Sequence, residues 1–240
     1  MTAPFPPPSL MSRVSGLTSN DQFAQHGSEF MTALEQASPI PLFSYGDILD
    51  FGVGCGRLAR LFADFRGRYV GVDVDQELVR WCGDALPWVE PVVSAPRLPI
   101  PLPDAQFDCI ISISVFTHLN EADTHFYLSE LQRLAKPGCY LFLTVHGHRA
   151  IDRARAERMI FDMLVIPEGS VAVTETAMRE TGFKFIIQPQ GHLTSENYEY
   201  GITFVGRKFI ETAWSKYFDV IAIHSGAIHD FQDIVVLRRR

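Results

Sequence analysis

Ile48-Leu49-Asp50-Phe51-Gly52-Val53-Gly54-Cys55-Gly56-Arg57 decides how the rest of the chain is read. Ile48–Phe51 is a short apolar strand. Three alternating glycines follow, and then Arg57–Phe65 has helical spacing. Glycine lets a backbone come close to a ligand, and a helix N-terminus offers unpaired N–H groups to an anion. A dinucleotide fingerprint needs G-x-G-x-x-G. From Gly52 the spacing here is G-x-G-x-G, and Arg57 stands where the third glycine of that fingerprint belongs. Asp50 is unfavourable beside a diphosphate. It is suited instead to accept a bond from a ligand ammonium, directly or through water.

The second half of the signature is Tyr69-Val70-Gly71-Val72-Asp73. Asp73 ends the second strand, 21 residues after Gly52. A carboxylate there is placed to accept two hydrogen bonds from ribose hydroxyls. Together the two stretches predict a seat for a nucleoside with an amino-acid-like tail. An NAD-dependent dehydrogenase is disfavoured by Arg57 and Asp50.

Outward from this motif, short apolar runs alternate with helical stretches. The runs are Ile48–Phe51, Tyr69–Val72, Trp88–Val93, Cys109–Ile113 and Tyr140–Val145, and they read as strands buried on both faces. The helices between them are Arg57–Phe65, Gln76–Leu86 and Glu121–Ala135, the last stopped by Lys136-Pro137-Gly138. Two more strands, Phe218–His224 and Asp233–Leu237, follow a helix at Arg207–Tyr217. Their connection is too short for a parallel crossover, so the last strand runs antiparallel. The expected class is α/β: a Rossmann-like, seven-stranded, mostly parallel sheet with an antiparallel last strand and helices on both faces. A lid is inserted after strand five. The segments are an N-terminal arm and helix (1–40), the core (41–146), the lid (147–205) and the closing helix and strands (206–240). Residues 1–20 read as irregular, 21–38 as a helix, Arg149–Leu164 as one helix and Thr174–Glu180 as another. Met159 and Met163 have helical spacing and read as core, as do Trp81, Trp88 and Trp214.

Of 240 residues, 47% are hydrophobic and 20% charged, which excludes a disordered chain. A net charge of -7 disfavours a nucleic-acid binder. No apolar run approaches the ~18 residues of a membrane helix. Met1 to Ser9 is proline-rich and lacks a leader's basic-then-apolar order. The four cysteines, Cys55, Cys82, Cys109 and Cys139, form no CxxC pair, so a reduced, cytoplasmic protein without structural zinc is expected.

At these motifs the sequence resembles the class I S-adenosylmethionine-dependent methyltransferases, from about Ile48 to Val145 and in the two closing strands. The resemblance implies S-adenosyl-L-methionine as cofactor and S-adenosyl-L-homocysteine as product. It assigns Asp50, Gly52, Gly54, Gly56 and Arg57 to the methionine end, and Asp73 with Val74 to the ribose. Val93-Ser94-Ala95-Pro96 replaces an acid that many relatives carry after strand three, so Ser94 and Ala95 are left with backbone and apolar contacts to adenine. Ser114 and Val115, after strand four, line the cofactor. Arg13-Val14-Ser15-Gly16, Ser114–Leu119 and the ending Gln232–Leu237 resemble a bacterial subgroup associated with saccharide and polysaccharide modification. That narrower likeness implies an arm folded over the cofactor, with Arg13 near the methionine carboxylate.

A sulfonium methyl is already activated, so the protein must align the acceptor, exclude water and take a proton when the acceptor is a hydroxyl. His118, after strand four, and His146, at the end of strand five, stand where ligands of open α/β sheets bind. They are the expected catalytic bases. His192, Glu196, Tyr198 and Tyr200 of the lid are the expected substrate-binding residues, with His192 or Glu196 as a reserve base. His146-Gly147-His148 offers two metal-ligand nitrogens, but magnesium prefers oxygen, and no metal is expected. The sequence is read as an O-methyltransferase of a saccharide, oligosaccharide or other hydroxylated small molecule. The alternatives are N- or C-methylation of a small metabolite and a non-catalytic adenosyl-ligand-binding module. A homodimer is left open.

Overall fold

The computed structural model describes residues 3–188 and 199–240. The chain divides into two compact units, Met1–Ser112 with Leu134–Tyr140, and Ile113–Arg133 with Leu141–Arg240. The first unit begins with α1 (Pro8–Ser15) and α2 (Asn20–Ala37). It continues through β1 (Asp47–Phe51), β2 (Arg68–Asp73), α3 (Gln76–Ala85), β3 (Val89–Val93) and β4 (Phe107–Ser112). After α4 (Glu121–Leu134), strand β5 (Ala135–Val145) starts in the first unit and ends in the second. The second unit adds α5 (His148–Ala156), α6 (Arg158–Leu164), α7 (Ser170–Glu180), β6 (Phe183–Ile187), β7 (Gly201–Val205), α8 (Arg207–Ala213), β8 (Asp219–Ile228) and β9 (Gln232–Arg238).

Seven strands form one sheet in the order β3-β2-β1-β4-β5-β9-β8, and β6-β7 form a separate pair. β1 pairs in parallel with β2 and β4, β2 with β3, while β9 runs antiparallel to β8. The sheet is therefore the expected one. Strand order reverses between β1 and β4, inside the first unit, and open α/β sheets bind ligands at the carboxyl ends of strands at such a point. Ile48, Leu49 and Ile110 are fully buried, each contributing about 1.5–3 kcal/mol of burial. Ser112 Oγ donates to the Phe51 carbonyl at 2.9 Å, tying the ends of β1 and β4. α3 packs on β2 and β3; α5 and α8 pack on β8.

Six local expectations are corrected. The arm is not irregular: Pro8 starts α1, where a proline's fixed φ suits the first turn, and left-handed Gly16 ends it. Leu10 and Met11 are buried with Phe23, Cys55 and Leu78. Arg57–Phe65 holds only a 3-10 segment, Ala59–Phe62, because Gly56 is left-handed (φ 78°) and postpones any helical turn. The Lys136-Pro137-Gly138 run lies within β5, its lysine bridging Asp47 (3.0 Å) and Asp108 (2.9 Å). Arg149–Leu164 is two helices, since Glu157 takes an extended backbone (φ -122°, ψ 108°) while its carboxylate clasps Arg153. Met159 and Met163 are 74% and 56% exposed; α6 buries Ile160, Phe161 and Leu164 instead. Also, β3 is an edge strand with exposed positions and Pro91 at its centre, not a strand buried on both faces. Trp214 is fully buried, as expected of a packing residue.

Candidate active site

In the first unit, the turn after β1 is held by β2. The Gly52 and Val53 N–H groups both donate to the Val72 carbonyl, at 2.8 and 3.0 Å. Gly52, Gly54 and Gly56 all have positive φ (87°, 55°, 78°), which L side chains rarely adopt. A Cβ on Gly56 would stand 2.6 Å from Leu86 Cδ1, and one on Gly54 3.0 Å from Val14 Cγ1. The glycines are thus required by packing as well as by conformation, and α1 lies on the turn through Val14.

Asp73 closes the turn. Its Oδ2 accepts from Gly54 N–H at 2.8 Å and its Oδ1 from Asp75 N–H at 3.0 Å. Burial raises its pKa, while the N–H groups of Asp75, Gly54 and Val74 pull it back. Each carboxylate oxygen has a second lone pair for a further donor. Ser94, buried at the end of β3, is tied to β2 through its N–H and the Asp73 carbonyl (2.9 Å); Ala95 is exposed.

Asp50 is buried, 3% exposed, and accepts from Tyr69 Oη at 2.7 Å. Burial lifts its carboxyl to about 7, opposed by that hydrogen bond. Nearby Asp73 raises it further and Arg57 lowers it. Arg57 is half-buried, with its guanidinium carbon 4.4 Å from the Phe30 ring centroid and 5.9 Å from that of Phe23. Arg13 is engaged by Asp75 (2.9 Å) and Glu77 (2.8 Å).

In the second unit, Ser114 holds a left-handed backbone (φ 60°), unusual outside glycine and a mark of functional or strained positions. Its N–H donates to Thr144 Oγ1 at 2.7 Å, and its hydroxyl meets both amide atoms of Gln232, at 3.0 and 3.2 Å. The Val115 carbonyl accepts from His118 N–H (2.9 Å), turning the chain so that His118 is half-buried. His118 Nδ1 lies 2.8 Å from the Gly201 carbonyl. A carbonyl only accepts, so Nδ1 carries the hydrogen and Nε2 the lone pair. Tyr200 stacks on the ring (4.6 Å, 16°), its hydroxyl 3.3 Å from Nε2. Burial pushes the Tyr200 phenol up to about 12, so it stays protonated.

His146 is 4% exposed, between Phe204 (5.7 Å) and Phe231 (4.9 Å), and its Nδ1 has no hydrogen-bond partner among the described residues. Burial, then the nearby His118, lower its pKa to about 3. His146 is thus a neutral interior ring, whereas neighbouring His148 is exposed. Strand β7 brings these groups together, with Phe204 bridged to His146 and Thr203 bonded to the Thr117 and Leu119 carbonyls. His192, Glu196 and Tyr198 lie outside the described residues.

Sequence reasoning missed Tyr69, Thr144, Gln232 and Asp233. The last is buried, accepts from Gly226 N–H (2.8 Å) and Ser225 Oγ (3.2 Å), and leaves no room for a side chain at Gly147. None has a local signal: each acts on a residue distant in sequence.

A family model described as a methyltransferase domain matches residues 49–143. Over 92 residues the chain is 34% identical to a Mycolicibacterium smegmatis (strain ATCC 700084 / mc(2)155) protein named a probable S-adenosylmethionine-dependent methyltransferase. The match covers 38% of this chain and 35% of that protein, so the chain spans about a third of the relative's length. Among solved structures, the PH0226 protein of Pyrococcus horikoshii OT3 is similar with TM-score 0.65 and 15% identity, covering 96% of each chain. The glycopeptide N-methyltransferase MtfA complexed with sinefungin has TM-score 0.58 and 14% identity, over 89% of this chain and 87% of that one. At such identities the likeness speaks for the fold. The family match therefore speaks for a methyltransferase domain over residues 49–143, and the solved structures for the fold alone.

Proposed function

We propose that the chain transfers a methyl group from S-adenosylmethionine to a hydroxyl of a saccharide or another hydroxylated small molecule, with His118 as general base. The observation that carries this reading is the contact of His118 Nδ1 with the Gly201 carbonyl, which puts the hydrogen on Nδ1 and the lone pair on Nε2. The first unit supports the cofactor: Asp73 keeps lone pairs for two ribose hydroxyls, Asp50 offers a buried carboxylate to an ammonium, and the glycine turn fixes both. When bound, the cofactor supplies a methyl group already activated on its sulfonium.

An aliphatic hydroxyl is a weak nucleophile until its proton begins to leave. His118 Nε2 takes that proton, and the Gly201 carbonyl holds the ring in place and stabilises the imidazolium through Nδ1–H. The Tyr200 hydroxyl at 3.3 Å is a long partner that an acceptor hydroxyl can replace, and its ring offers a stacking face to a sugar. His146, enclosed by phenyl rings and shifted towards neutrality, is proposed to support the geometry instead of taking the proton. Residues 1–40 are proposed to cover the cofactor and 147–205 the acceptor, with Ser114 held for the ligand by Thr144 and Gln232.

The test is methyl transfer from isotopically labelled S-adenosylmethionine into a panel of saccharides and small hydroxylated acceptors, read by mass spectrometry. Label on a hydroxyl oxygen, lost in His118→Ala with S-adenosylhomocysteine affinity intact, is the expected result. Label on nitrogen or carbon, with His118→Ala fully active, overturns it.

A further inference from the structure

We propose that Thr203 is a positioning residue for the base: it bonds the two carbonyls that flank His118, and so sets where the imidazole stands and which of its nitrogens carries the hydrogen. This rests on the reading of His118 as general base.

The register of β7 comes first. In an antiparallel pair, alternate residues bond across the ladder, and the residues between them turn their backbone groups away. Gln188 N–H donates to the Tyr200 carbonyl at 2.8 Å, and the register continues from there, with Ile187 opposite Gly201 and Ile186 opposite Ile202. Ile202 and Phe204 therefore bond β6, while Gly201, Thr203 and Val205 face away from it. All three find partners on that side. The Gly201 carbonyl meets His118 Nδ1 (2.8 Å), Thr203 N–H donates to the Thr117 carbonyl (2.8 Å), and Val205 N–H donates to the His146 carbonyl (2.9 Å). One strand edge thus holds the ring of one histidine, the loop that carries it and the backbone of the other. Glycine is required at 201, because a Cβ there would collide with the Ile186 carbonyl and the Phe185 ring.

The Thr203 side chain adds what the strand backbone cannot. Its hydroxyl donates to the Leu119 carbonyl at 2.6 Å, so its N–H and hydroxyl together hold Thr117 and Leu119, one on each side of His118. Thr117, Leu119 and Thr203 are all buried. A buried carbonyl without a donor costs about 1–3 kcal/mol, which drives the loop onto the threonine. The loop's own side chains do not hold it: the Thr117 hydroxyl is buried with no hydrogen-bond partner among the described residues, and Asn120 Oδ1 caps α4 by accepting from Asp123 N–H at 2.9 Å. A β-branched residue has few rotamers, so the hydroxyl stays on Leu119 with little freedom to leave. Without it, the loop is held on one side of His118 alone. The ring then loses its register with the Gly201 carbonyl, and both nitrogens compete for the hydrogen.

The experiment is nitrogen NMR of isotope-labelled imidazole rings in wild type, Thr203→Val and Thr203→Ser, at a pH where the rings are neutral. The His118 signals are assigned by their loss in His118→Ala. Valine keeps the shape of threonine without the hydroxyl, and serine keeps the hydroxyl. Wild type and Thr203→Ser are expected to hold the hydrogen on Nδ1, and Thr203→Val to show both tautomers. In the labelled saccharide panel, Thr203→Val is expected to transfer methyl roughly 10- to 100-fold more slowly, the scale of a misplaced catalytic group, with S-adenosylhomocysteine affinity within about 2-fold of wild type. An unmoved His118 tautomer in folded Thr203→Val overturns the proposal. So does Thr203→Ser as impaired as Thr203→Val, which marks packing and not the hydroxyl as what matters. Where Thr203→Val does not fold, wild type decides: a Thr203 amide that exchanges hydrogen as fast as an exposed loop amide, or a His118 ring with its hydrogen on Nε2, overturns the proposal, and a protected amide with the hydrogen on Nδ1 supports it. Full methyl transfer by His118→Ala overturns the base reading itself, a different failure from a tautomer that ignores Thr203.

Discussion

Asp50→Asn should move stability and ligand affinity in opposite directions, and the size of the first effect follows from burial. The wild-type carboxyl is 3% exposed and titrates at about 7 in the folded protein, against an ordinary value of 3.8. A folded-state pKa above the unfolded one means the folded protein holds its proton more tightly. The associated stability is fully present below about pH 4 and is lost as pH rises through about 7. Between pH 5 and pH 8 this group alone should cost the wild type about 2–3 kcal/mol. Asparagine keeps the shape and still accepts from Tyr69, but it does not ionise. The stability difference between variant and wild type should therefore grow by about 2–3 kcal/mol in the variant's favour from pH 5 to pH 8. For a chain of this length that is about 5–10 °C in melting temperature. Scanning calorimetry at the two pH values reads it. At pH 8 the same substitution should weaken S-adenosylhomocysteine roughly 10-fold or more, because a ligand ammonium loses its carboxylate. Parallel pH–stability profiles for the two proteins, or unchanged ligand affinity, would refute the reasoning.

His118→Ala should lower kcat about 10²- to 10⁴-fold, the range of a general base, while calorimetry finds S-adenosylhomocysteine affinity within about 2-fold of wild type. His146→Ala should instead act first on stability, costing about 2–4 kcal/mol in urea unfolding as a cavity opens between Phe204 and Phe231. Asp73→Asn should weaken S-adenosylhomocysteine about 10- to 100-fold, since an amide nitrogen accepts nothing from a ribose hydroxyl; unchanged affinity removes the ribose assignment. Gly56→Ala should destabilise by more than about 1 kcal/mol in the same unfolding assay, because φ is 78° and Leu86 Cδ1 stands 2.6 Å from the new methyl.

Local pattern was enough for the sheet. Continuous apolar runs such as Ile48–Phe51 and Cys109–Ile113 mark strands with little ambiguity, and the short link to β9 dictates its antiparallel direction. Pattern failed where a distant group decides the backbone. Lys136-Pro137-Gly138 looks like a stop, yet Asp47 and Asp108 hold the lysine along β5. Arg57–Phe65 has helical spacing, but a left-handed Gly56 and the packing of Arg57 on α2 leave one 3-10 turn. Met159 and Met163 share a helical face that proves to be the outer one.

The site divides along the same line. The turn that carries Asp50, the glycines and Asp73 was legible because its spacing follows from strand-turn geometry. The clamp from Asp73 to Gly54 needs a backbone φ that sequence does not print. The tautomer of His118 depends on Gly201, 83 residues away, and the setting of His146 on β7. Sequence position offered both histidines as candidates; the structure leaves His118 half-buried and His146 4% exposed.

The most direct measurement is calorimetric titration of the purified chain with S-adenosylhomocysteine and, separately, with NAD. The account predicts saturable one-to-one binding of S-adenosylhomocysteine and none of NAD. Binding of NAD, with no heat from S-adenosylhomocysteine, would contradict it.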